Sequence, residues 1–159
     1  MIRINDLSII ESFDETVPKA AGYGEPYLKA VASGVQELAP PVTMRIDSLA
    51  AARKLGIPEM QCLVVEPTAK RLQKYVSAHF GVDSGSSLRV GWYQLGGEFA
   101  GGHDVGGLGF VNIGAATDLD VGEIRSIHTT VHTYAVLPAI QQLANAVMGP
   151  PGSGGFFGV

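Results

Sequence analysis

Hydrophobic and polar positions alternate along some stretches of this chain and recur with helical spacing along others. The switches between these two periods outline its elements. Residues Ile2 to Phe13 mix apolar and polar positions without a clean period and read as a short strand or an arm. Pro18, Gly22, Gly24 and Pro26 mark a loop. Tyr27, Leu28, Val31, Val35 and Leu38 then fall on one face of a helix over Tyr27–Ala39, which Pro40-Pro41 stops. Val42 to Asp47 alternates as a strand. Ser48 is placed to cap a short helix to Leu55, with Gly56 at its end. Met60 to Val65 is a β-rich run that makes Cys62 a buried strand residue, and Glu66-Pro67 turns the chain.

Further on, Thr68 stands as N-cap for a helix Ala69–Phe80 closed by Gly81. Leu88 to Leu95 has strong strand character, and Gly107 to Ile113 reads as its partner. Asp120 and Glu123 form a capping-box pattern for a last helix reaching Met148. Its stripe is Ile124, Ile127, Val131 and Tyr134, continued by Leu137, Ile140, Ala144 and Val147, and Pro138 should kink it. The expected fold is α+β, with the main body from Val42 in the order β-α-β-α-β-β-α, a small mixed sheet with helices packed on it and a long kinked C-terminal helix. Three parts follow: an N-terminal arm and helix over 1–41, a single domain over 42–148, and a Gly/Pro-rich tail over 149–159.

Composition changes the picture in one respect. The 159 residues are 46% hydrophobic but only 16% charged, against roughly 25% charged in average soluble proteins. From Ser126 to the end there is no Asp, Glu, Lys or Arg. So sparse a charge cover points to a surface shared with copies of the same chain, hence a homo-oligomer. A net charge of −4 argues against nucleic acid as a partner. No run is long and apolar enough to read as an integral membrane span. A single cysteine leaves the redox compartment open.

Candidate chemistry gathers around the last helix. His128 and His132 stand at i and i+4, which places two imidazoles on one face about 6 Å apart, a spacing able to hold a divalent metal. Thr129 occupies the position where a metalloprotease helix carries its Glu, and Arg125 lies one turn earlier on the same face. His103 and Asp104 complete a two-His-plus-carboxylate set if the glycine-rich stretch Gly96–Gly114 folds back. That stretch holds the pairs Gly96-Gly97, Gly101-Gly102 and Gly106-Gly107 at constant spacing. It lacks a lysine and lies between two strands, so it reads as a contact surface where backbone meets backbone rather than a phosphate cradle. Gly101, Gly102, Gly106 and Gly107, with Phe156 and Phe157 of the tail, are the interface candidates. Lys70 and Arg71 at the start of the Thr68 helix mark a lesser, anion-binding candidate. No nucleotide fingerprint or nucleophile elbow is present, and no cofactor beyond a metal is implied.

Ile2-Arg3-Ile4-Asn5-Asp6-Leu7-Ser8, with Glu11 following, resembles leader segments of bacterial bacteriocin-like peptide precursors; this implies cleavage of a leader and a secreted product. Three readings follow. The first is a non-enzymatic self-assembling structural subunit of coat, shell, filament or virion-accessory type. The second is the secreted precursor. The third is a small metal-dependent enzyme using the His pair.

Overall fold

A computed structural model describes residues 8–49, 60–96 and 118–148. They form a five-stranded antiparallel sheet with helices packed on it, an α+β arrangement with a long C-terminal helix. The strands are β1 (Ser8–Val17), β2 (Val42–Leu49), β3 (Met60–Pro67), β4 (Val76–Ser84) and β5 (Ser87–Gly96), in the spatial order β1-β5-β4-β3-β2. The helices are α1 (Gly24–Leu38), α2 (Asp118–Val131) and α3 (Leu137–Met148), the last two joined by a π turn over His132–Val136. β2 through β5 form a meander of antiparallel neighbours. β1 pairs with β5 at the far edge, from Ser8 opposite Gly96 to Val17 opposite Leu88. The chain therefore crosses the sheet through α1 to get from one edge to the other.

Alternation along the strands sorts side chains onto two faces. Leu88, Val90 and Trp92 of β5, Leu63 of β3 and Val17 of β1 share a buried cluster with Tyr27, Val31 and Val35 of α1 and with Val131, Val136, Ile140 and Leu143 of the C-terminal helices. Each fully buried aliphatic or aromatic side chain there contributes roughly 1.5–3 kcal/mol by leaving water. The other face carries a second cluster built from Cys62, Val64, Val76, Ala78, Phe80, Tyr93 and Leu95. β1 and α1 thus belong to the same sheet and core as the residues beyond 41.

The sequence-based order fails at two segments. Ala69–Phe80 is not a helix: Lys70–Leu72 makes a single 3₁₀ turn, and β4 begins at Val76. Lys70 to Lys74 favours a helix by propensity. Residues 76–80, however, alternate, and they gain neighbours on both sides, Ala78 opposite Val64 on β3 and opposite Tyr93 on β5. Thr68 caps nothing; its hydroxyl donates to the Pro41 carbonyl at 3.1 Å. Gly81, expected as a helix stop, lies where α1 meets the sheet: a Cβ on Gly24 would stand 2.6 Å from the Gly81 carbonyl oxygen. Ser48 and Leu49 continue β2 rather than open a helix. From residue 42 on, the described residues run β-β-β-β-α in place of the expected β-α-β-α-β-β-α, and their sheet is antiparallel rather than mixed. The segments expected as the rest of the Ser48–Leu55 helix and as the Gly107–Ile113 strand lie outside the described residues.

The last helix carries its irregularity just ahead of Pro138. In the π turn the Leu137 N–H reaches back to the His132 carbonyl, one residue further than in an α-helix. A proline ring clashes with the carbonyl four residues before it, here Tyr134, and the wider turn makes room. Its neighbour α1 lies close: a Cβ on Gly34 would stand 2.9 Å from that of Ala135.

Candidate functional site

The inward face of β4 and β5 brings together polar and aromatic groups that lie far apart in sequence. His79 stands between Leu63 and Trp92 in the register of three adjacent strands, and Phe13 of β1 stands opposite Trp92 on the other side. α2 lays His128 over this row, and the π turn that follows it lays His132 there. The Trp92 ring meets His128 edge-on at 4.1 Å between centroids and His132 at 5.6 Å, and it stacks with Phe13 at 5.9 Å. Phe13 also meets His132 edge-on at 4.8 Å. Two imidazoles and two aromatic rings so form the wall of a cleft of about 500 Å³, completed by Glu11, Ser12, Arg125 and Thr129.

Hydrogen bonds assign the imidazoles different roles. Trp92 Nε1–H donates to His132 Nδ1 at 2.9 Å, so a neutral His132 carries its proton on Nε2 and is a donor there. His79 Nε2 is 2.9 Å from the Ser77 hydroxyl, while its Nδ1 is buried without a hydrogen-bond partner among the described residues. Both His128 nitrogens are buried with no hydrogen-bond partner among the described residues. A buried polar atom left unpaired costs about 1–3 kcal/mol, so each such group is a departure from ordinary packing.

Burial keeps these rings neutral. It lowers the pKa of His128 to about 4, with the neighbouring His132 adding to the effect. Burial likewise lowers His79 to about 3, assisted by His128 and His132. His132 is also lowered by burial, against an opposing pull from Glu11. At neutral pH His128 is therefore an uncharged ring offering one N–H and one lone pair. It also borders a water-sized hole on its inner side, beside Tyr75, Ser77 and Gln94.

Of the residues singled out as metal ligands, the structure brings His128 and His132 onto the same cleft, with Arg125 beside them. His103 and Asp104 lie outside the described residues. Among the described residues no group of three or more His, Cys, Asp or Glu is placed to hold a metal. The Trp92 bond also occupies the His132 lone pair, so a metal there would have to displace it. The interface candidates Gly101, Gly102, Gly106, Gly107, Phe156 and Phe157 lie outside the described residues as well. The anion site expected at the Thr68 helix lacks its helix. Arg71 instead ties the 3₁₀ turn to α2, donating from Nε to Asp120 at 2.8 Å and pairing with Glu123. Asp120 and Glu123, expected as a cap, serve this link.

Sequence reasoning missed Trp92, His79 and Phe13 as members of the site. The i,i+4 pair is local and visible; the strand residues beneath it are 36 or more positions away. Compared with known proteins, the chain matches no protein-family model, no curated protein and no solved structure.

Proposed function

We propose that this chain is a binding protein whose cleft takes a small, flat, uncharged ligand bearing a hydrogen-bond donor and an acceptor. The observation that carries this reading is His128. Its ring lines a cleft walled by Trp92, Phe13 and His132, and its two buried nitrogens have no hydrogen-bond partner among the described residues. Aromatic walls with a few convergent polar groups are the usual makeup of a small-molecule site. A neutral imidazole favours an uncharged ligand, and His132 Nε2–H adds a second donor. Trp92 is the only tryptophan, so its fluorescence reports on this cleft alone. Titrating benzamide, 2-pyridone and phenol, with cyclohexanol as the non-planar control, should quench or shift that emission saturably for the flat compounds. His128→Ala should abolish the response. If none of the flat compounds perturbs Trp92, or if the alanine variant responds equally, the cleft is not a ligand site of this kind.

A second reading, the self-associating structural subunit, rests on a different surface. Tyr134, Leu137 and Met148 are exposed at 63%, 41% and 57% on a helical segment without an ionised side chain at neutral pH. An uncharged face with exposed apolar residues suits a subunit contact better than open water. Light scattering of the full chain at increasing concentration tests it, and a monomer throughout removes it.

A further inference from the structure

We infer that the groove between α1 and the C-terminal helix receives a second copy of this chain, with the two α1 helices antiparallel about a two-fold axis near Ser33. This rests on the self-associating reading and adds its geometry. The groove has a volume of about 510 Å³ and runs beside the close approach of Gly34 and Ala135, with Lys29 and Glu37 on its α1 rim and Tyr134 and Pro138 on the other.

The choice of a second copy comes from the charges. α1 carries three charged side chains, Glu25, Lys29 and Glu37, whereas α3 carries none. Lys29 and Glu37 are eight positions apart, or about 12 Å along a helix, and Ser33 lies midway between them. A two-fold axis through that midpoint puts Lys29 of each copy opposite Glu37 of the other, so the surface is complementary to itself. A parallel arrangement would set like charges against each other. Among the described residues Lys29 pairs only with Glu25 on its own helix, at 3.4 Å with both side chains mostly exposed, a contact easily exchanged. The partner's side of the groove meets the uncharged segment bearing Tyr134, so no ion is left facing an apolar surface. Gly34 and Ala135, having little side chain, leave the floor open for the Tyr134 ring of the second copy.

Sedimentation equilibrium of the full chain should show a dimer. Lys29→Glu alone and Glu37→Lys alone should each weaken it about tenfold, because each converts two symmetric attractions into repulsions. The double reversal should restore it. Ser33→Cys should form a covalent dimer on mild oxidation, since the axis brings the two copies of that position together. Circular dichroism of these surface variants checks that each is folded. If the chain is a monomer at every concentration, both this geometry and the self-associating reading fail. If a dimer forms but neither reversal weakens it and Ser33→Cys does not cross-link, association stands and this face is overturned.

Discussion

Acidification between pH 7 and pH 5 should remove about 4 kcal/mol of folding stability through two histidines. Burial holds the folded-state pKa values of His79 and His128 at about 3 and about 4, below the ordinary 6.5 that each regains on unfolding. As the pH falls, the unfolded chain therefore takes up protons first. The stabilisation is complete above about 6.5 and is lost progressively as the pH falls toward the folded-state values. At pH 5 each ring is 1.5 units below its unfolded value and still neutral in the native state. At about 1.4 kcal/mol per unit, that is about 2 kcal/mol per ring. The result depends little on how far below 5 the folded values lie. It is a large fraction of the 5–15 kcal/mol typical of a domain. Urea unfolding followed by Trp92 emission at pH 8, 7, 6, 5.5 and 5 measures it directly. The slope near pH 5.5 should correspond to about two protons, falling to about one in His128→Gln. Flat stability from pH 7 to 5, or imidazole NMR signals of the native protein titrating near 6.5 at both positions, would refute the reasoning.

Three further outcomes follow from named contacts. Trp92→Phe keeps most of the ring but removes the N–H that donates to His132, and should cost about 1 kcal/mol in denaturant unfolding, with the His132 tautomer no longer fixed in ¹⁵N spectra. Gly24→Ala should destabilise by about 1–3 kcal/mol because the new Cβ meets backbone at Gly81, whereas Gly122→Ala, with open space around it in α2, should stabilise by about 0.5–1 kcal/mol. Reversal of that order in paired melts would show that the helix–sheet approach is not as described. Cys62 is fully buried, and burial followed by Asp47 pushes its thiol up to about 12, so a disulfide reagent should label it only after unfolding; prompt reaction in native buffer would contradict its placement.

The parts of the fold legible in the sequence were those whose period is long and whose neighbours are dispensable to the reading. Tyr27, Val31 and Val35 declare α1 on their own, and Leu88–Leu95 declares β5. Residues 69–80 mislead because their first half has helical propensity and their second half owes its conformation to strands on both sides. That error hid the site. With 76–84 taken as a strand, His79 and Ser77 would have fallen on one face. The alternation of β5 would have put Trp92 on an inward face too, but which strands neighbour one another is not a local property. The His128–His132 spacing gave one wall of the cleft. What the wall faces was set by register, and the role of His132 by a bond from Trp92 that no spacing announces.

The pairing of β1 with β5 gives the cleft a history as well as a shape. As the chain leaves the ribosome, β1 emerges first but finds its sheet neighbour only once residues 87–96 have followed. The meander β2–β5 joins strands that are close in the chain, while β1 must close a loop of some 70 residues or more. Phe13 stands on β1, Trp92 on β5, and the imidazoles on the helix made after both. The cleft is therefore assembled from the first described strand and from residues made more than a hundred positions later, and no nascent fragment ending before His132 contains it.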